Sequence, residues 1–173
     1  VHEAKEEGNH ISSMLLSKDL VENTIIKEDY SKLNLFTPPP PPTVTNADYR
    51  VFPYPLESPN YGLQAIVSNP WLLSGAGNNA VTNGWHFDGT DNYNITRGNN
   101  VFAYLDIANA NAPNATTNWP DTSTTPIPSL SFIQTQLPTQ QPSVTENKKF
   151  ALNNLFYWNN MIHDVFYLYG FNE

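Results

Sequence analysis

Residues 143–171 read SVTENKKFALNNLFYWNNMIHDVFYLYGF, and this run decides the fold. Ser143-Val144-Thr145-Glu146 has the form of a capping box, in which a serine oxygen and a glutamate carboxylate satisfy opposite orphan amides at a helix start. A helix is predicted from about Val144 to Tyr169. Leu152, Leu155, Phe156, Ile162, Val165, Phe166 and Tyr169 recur at helical spacing, so one wide apolar face should pack against a sheet or other helices. Gly170 is placed to end the helix in a left-handed cap.

Working outward from that helix, proline sets the rest of the architecture. All 15 prolines lie between Pro38 and Pro142, and proline is excluded from helix interiors, so an irregular middle separates two proline-free ends. The middle is rich in Asn, Thr, Pro and Gly, with apolar or aromatic groups at Tyr49–Phe52, Leu63–Val67, Val101–Leu105 and Leu130–Ile133. These predict short strands between long loops in which Asn and Asp supply turn conformations. The fold class read from the chain is therefore α+β, β-rich and loop-rich, ending in a long amphipathic helix. Pro38–Pro42 predicts a stiff polyproline II spacer and the boundary between parts. Before it, residues 1–36 fit either a strand–turn–strand around Ser17-Lys18-Asp19 or a short amphipathic helix with Ile11, Leu15, Val21 and Ile25 on one face.

Composition narrows the partners. The net charge of −8, from 8 Lys+Arg against 16 Asp+Glu, disfavours nucleic acid and anionic membranes, which are bound by neutralising phosphate. The 173 residues contain no cysteine, so thiolate metal sites, disulfides and a cysteine nucleophile are excluded together. No stretch approaches the roughly 20 apolar residues of a membrane span. The chain opens at Val1 without a charged stem or apolar signal core, which reads as an internal start.

Few side chains suggest chemistry of their own. Catalytic zinc commonly takes two histidines one helical turn apart plus a third ligand, leaving an open position. His163 lies on the predicted helix, but Asn159 and Tyr167 stand one turn away, and His-Glu-x-x-His does not occur. His163-Asp164 therefore reads as a helix histidine bonded to its surroundings, and His86, between Trp85 and Phe87, as a loop or packing residue. Asp88-Gly89-Thr90-Asp91-Asn92 gathers oxygen donors that suit calcium, but it lacks the spacing of a twelve-residue calcium loop, and a polar turn is the simpler reading. Gly75-Ala76-Gly77 lacks the later residues of a phosphate loop and reads as surface. Asn94-Ile95-Thr96 and Asn114-Ala115-Thr116 match the N-glycosylation pattern. Phe156-Tyr157-Trp158 fits core packing better than a sugar platform, because on a helix the three rings point in different directions.

Five short stretches in order carry a resemblance: Tyr49-Arg50-Val51-Phe52-Pro53, Ser68-Asn69-Pro70-Trp71, Gly84-Trp85-His86, Thr96-Arg97-Gly98-Asn99-Asn100-Val101, and Asn153 to Asp164 continuing through Tyr169-Gly170-Phe171. With them, Tyr49 to Glu173 resembles the fungalysin family of extracellular zinc metallopeptidases. The resemblance implies the N-terminal portion of a thermolysin-like catalytic domain at 49–173, a proline-rich linker at 37–48 and the tail of a pro-region at 1–36. It implies a secreted endopeptidase acting on protein or peptide substrates through a zinc-activated water, with the pro-region of the same precursor as a partner. The zinc ligands of that family are expected after Glu173, so no catalytic or metal role falls on this chain. Trp85, His86, Arg97, Asn99, Asn100, Phe156, Trp158, His163 and Asp164 are expected to be scaffold. Two other readings fit parts of the composition: a noncatalytic β-rich secreted module binding glycan or protein, and a retained pro-segment that inhibits a catalytic chain.

Overall fold

In the computed structural model, residues 43–56, 59–73, 79–114 and 118–171 are described. Within them, strands β1 (Asn46–Val51), β2 (Ala65–Ser68) and β3 (Ser129–Phe132) form one mixed sheet in the order β2-β1-β3, and helix α1 (Thr145–Tyr167) packs on it. The readings made for residues 1–42, including the polyproline spacer, lie outside the described residues, as does Gly75-Ala76-Gly77.

β1 is the central strand, and its sequence shows why. Ala47, Tyr49 and Val51 are fully buried while Asn46, Asp48 and Arg50 alternate with them, so one face meets the helix and the other stays partly wet. β2 pairs with it antiparallel, Tyr49 opposite Val67, and β3 pairs parallel, Tyr49 opposite Phe132. Three of the four apolar groups of the middle are thus strands. The fourth, Val101–Leu105, makes only an isolated bridge between Phe102 and Arg97, because Ala103 spends both its backbone groups on Thr96.

The short motifs resolve into backbone requirements. Asn69 sits in the left-handed region (φ 48°), where asparagine is among the few tolerated side chains, and its Oδ1 accepts the Ala47 amide at 2.9 Å while its own amide returns to the Ala47 carbonyl. Pro70 then starts a 3-10 turn that sets Trp71 edge-on to Trp85 at 6.1 Å. Gly98 has a different duty. A Cβ there would lie 1.8 Å from the Trp85 carbonyl oxygen, so only glycine lets these two backbones pass.

The core is one aromatic cluster of Tyr49, Trp85, Phe132, Phe156 and Tyr157, with Leu130, Leu152 and Met161 filling around it. Many of its ties are distant in sequence. The Phe52 amide donates to Asn154 Oδ1 across 102 positions, and Trp158 Nε1 donates to the Phe52 carbonyl across 106.

α1 corrects two expectations. The Ser143–Glu146 capping box does not form: the N-cap is Val144 in extended conformation, with no side-chain cap. Asn147 does the anchoring instead, accepting the Leu137 amide at 2.7 Å and donating to the carbonyls of Leu137 and Gln141 at 3.1 Å. The buried face also differs from the apolar spacing. Phe150, Leu152, Phe156, Tyr157 and Met161 are buried together with Asn153, Asn160 and Asp164, whereas Leu155, Ile162 and Phe166 are 51%, 46% and 50% exposed. The C-terminal cap is as expected, although the helix itself closes at Tyr167. Gly170 (φ 88°) donates to the Tyr167 carbonyl and Phe171 to that of Phe166, a Schellman pair sealed by contact of the Phe166 and Phe171 rings at 5.6 Å.

Candidate functional site

Seven of the nine residues expected as scaffold fall into two groups around α1, and Arg97 and Trp158 lie outside them. In the first, Trp85 Nε1 donates to Asp164 Oδ2 at 2.8 Å, and Asp164 Oδ1 lies 3.1 Å from His163 Nδ1. Asn100 Nδ2 stands 3.0 Å from the same Nδ1, and Asn99 Nδ2 donates to Asn100 Oδ1 at 2.9 Å. One nitrogen cannot donate to a carboxylate and accept from an amide at once. The tautomer therefore decides which bond forms: Nδ1 either donates to Asp164 Oδ1 or accepts from Asn100 Nδ2. Trp85 and Asp164 are buried, His163 and Asn100 half-buried, Asn99 exposed.

A polar cavity of about 240 Å³ opens beside this network, lined by Asn79, Asn83, Asn99, Asn100, His163 and Tyr167, with Gly84 and Ala80 closing it. Carboxamides, an imidazole and a phenol offer hydrogen bonds to polar groups.

His86 and Phe156 belong to the second group. The His86 ring stacks on Phe132 at 5.3 Å and packs against Phe156 at 5.1 Å, and its Nε2 accepts from the Tyr49 hydroxyl. Burial holds its pKa at about 3; the nearby carbonyls of Ile95 and Arg97 oppose that shift, although none meets hydrogen-bond geometry with Nδ1. Burial, with the Asp48 charge behind it, pushes the Tyr49 phenol up, so Tyr49 is the donor.

Arg97 and Trp158 stand apart from both groups. The Arg97 guanidinium lies over the rings of Tyr93 and Phe102, at 4.3 and 5.1 Å. Trp158 is half-buried, edge-on to Tyr54 at 6.2 Å, while Phe156 and Tyr157 lie fully inside, so the three adjacent rings form no common platform.

Several organising residues gave no recognisable signal in the sequence. Asp121 is buried, with Lys149 Nζ 3.3 Å from Oδ1; burial pushes its pKa up, and Lys149 and Asn153 pull the other way. Thr96 donates to the Ala103 carbonyl and accepts the Asp121 amide. Asn118 ties its loop together by bonds to Ala108, Asp106 and Ala112. A polar side chain gives no sign in one sequence that it will be buried, because that depends on how the surrounding loops fold over it.

Zinc does not fit the donors among the described residues. Among the described residues no group of three His, Cys, Asp or Glu side chains comes together. Their chemistry is also committed: His86 to Tyr49, Asp164 to Trp85, Asp121 to Lys149. The oxygen-rich turn is similarly engaged. Asp88 Oδ1 accepts the amides of Thr90 and Asp91, Oδ2 accepts the Tyr93 hydroxyl, and these bonds hold its pKa at about 2. Asn92 Oδ1 accepts the Thr43 amide. The polar turn accounts for these donors without an ion.

Residues 48–173 match the model of the fungalysin metallopeptidase (M36) family, and the chain belongs to that family. It is 35% identical over 130 residues, 75% of its own length, to extracellular metalloproteinase 2 of Arthroderma otae and to that of Trichophyton rubrum. It is 29% identical over 180 residues, 98% of its length, to extracellular metalloproteinase 1 of Arthroderma gypseum. The chain spans 19% of the first two relatives and 25% of the third.

Proposed function

We propose that this chain is the supporting part of a secreted zinc endopeptidase: it walls the substrate cleft, and polypeptide following Glu173 carries the zinc ligands and the water-activating glutamate. Residues 49–173 are then the N-terminal portion of a thermolysin-like catalytic domain, 37–48 the linker and 1–36 the tail of the pro-region. Proteins and peptides are the substrates, and the pro-region is the partner before activation. This chain's contribution is rigidity, because a peptidase cleft must hold reacting groups within fractions of an ångström.

The observation that carries the reading is the second face of α1. Leu155, Ile162 and Phe166 lie on one side of the helix, away from the residues packed on the sheet, and each is about half exposed. An apolar stripe on a helix that already has a packed face suits contact with further polypeptide. Family membership, the naming of the relatives as extracellular metalloproteinases and the small share of their length that the chain spans support the same reading.

The test is a chimera in which residues 48–173 replace the matching stretch of the Arthroderma otae enzyme. It is expected to cut casein and hold stoichiometric zinc, while the isolated chain does neither. Leu155→Glu with Ile162→Glu should abolish activity of the chimera yet leave the isolated chain's stability within about 0.5 kcal/mol, as surface changes do. Zinc binding with casein cleavage by the isolated chain, or a chimera indifferent to both substitutions, would overturn the proposal.

A further inference from the structure

The chain carries two N-glycosylation sequons, Asn94-Ile95-Thr96 and Asn114-Ala115-Thr116, and the first lies wholly within the described residues. Asn94 is exposed, and the fold uses its backbone carbonyl, which accepts the Ser123 amide at 2.8 Å, leaving the side chain at the surface. Two residues on, the hydroxyl that completes the sequon is enclosed. Thr96 is 0% exposed, its Oγ1 donating to the Ala103 carbonyl at 2.7 Å and accepting the Asp121 amide at 3.1 Å. The acceptor pattern works only where a transferring enzyme reaches both the asparagine amide and the hydroxyl. In the folded chain it reaches the first and not the second.

We propose that Asn94 is an N-glycan acceptor modified only before the loop around Thr96 folds. The donor is a polyprenyl-diphosphate-linked oligosaccharide. The Asn94 carboxamide nitrogen attacks the anomeric carbon, the new C–N bond forms as the C–O bond to the diphosphate breaks, one amide proton passes to an enzyme base, and polyprenyl diphosphate leaves. Folding then encloses Thr96 and leaves the glycan in solvent, where it displaces no core contact. The inference rests on the secretory route of the proposed function, so the test supplies that route artificially and probes the acceptor alone.

The full chain behind a cleavable secretion signal is expressed in yeast, and glycopeptides are read by mass spectrometry from secreted and cell-retained protein alike. The Asn94 peptide is expected to carry glycan, released by peptide N-glycosidase with conversion of that asparagine to aspartate. Asn94→Gln should remove one glycosidase-sensitive step in gel mobility, and Asn114→Gln should leave that step in place. An Asn94 peptide found only unmodified overturns the proposal. In a second arm, chain folded in bacteria is offered to oligosaccharyltransferase and the lipid-linked donor; it is expected to stay unmodified at Asn94, and modification there overturns the ordering.

Discussion

Lowering the pH from about 7.5 to about 4 should cost this chain about 3 kcal/mol of stability through one side chain, the His86 imidazole. The ring is enclosed by Tyr49, Phe132 and Phe156, and its folded pKa of about 3 lies below the ordinary value of 6.5. Between those values the unfolded chain binds a proton that the native chain refuses, so stability falls as pH falls. The full separation amounts to about 5 kcal/mol, at about 1.4 kcal/mol per pH unit, and most of it is lost by pH 4. Asp121, whose pKa is raised, and Asp88, whose pKa is lowered, also titrate in acid, so the informative quantity is a difference. Urea unfolding followed by tryptophan fluorescence, run across this range for the wild type and for His86→Gln, isolates it: the variant's curve should be flatter by about 3 kcal/mol. Should the variant not fold, the wild-type imidazole resonances of His86, followed by NMR, should stay neutral down to about pH 4. Parallel curves, or a His86 ring that protonates near pH 6, would refute the reasoning.

Three further outcomes follow from the packing. Gly98→Ala drives a Cβ into the Trp85 carbonyl, and overpacking of this kind costs roughly 1–3 kcal/mol or more; an unchanged urea midpoint would contradict the close approach. Trp85→Phe leaves Asp164 without its indole donor, and stability should fall by about 1–3 kcal/mol, measured by chemical denaturation. Phe156→Ala removes a fully buried ring at the centre of the aromatic cluster and should cost about 3–5 kcal/mol, visible as a lowered melting temperature.

The helix, the strands around Tyr49, Val67 and Leu130 and the irregular middle were legible because each rests on local apolar grouping or on proline. Which side of α1 faces the sheet was not. Asn153, Asn160 and Asp164 were not among the apolar positions that defined the face, yet each is buried with a partner: Asn153 donates to Gln134, Asn160 to the Phe156 carbonyl, and Asp164 accepts from Trp85. Leu155 and Ile162 read as core, yet the polar trio occupies the face toward the sheet. The capping box failed for a related reason. Asn147 reaches back to Leu137 and Gln141 and fixes the helix entry, a role set by the path of the preceding loop rather than by the spacing of serine and glutamate. The residues expected as scaffold were picked out by resemblance. Their grouping around His163 and Asp164 needed the structure, because Trp85 and Asp164 lie 79 positions apart.

The long reach of β1 has a consequence for synthesis. This strand is made first among the sheet's members, and its parallel neighbour β3 arrives about 80 residues later, while Asn154 and Trp158, which bind the Phe52 that follows it, come 102 and 106 positions after Phe52. At roughly 5–20 residues per second, β2 can pair with β1 within a few seconds, but the edge of β1 that receives β3, from Asn46 to Tyr49, stays open for several seconds more. During that interval an apolar strand edge stands open on the ribosome, so the yield of native chain should depend on how quickly translation reaches α1, and pauses engineered between Leu105 and Ser129 should raise the aggregated fraction.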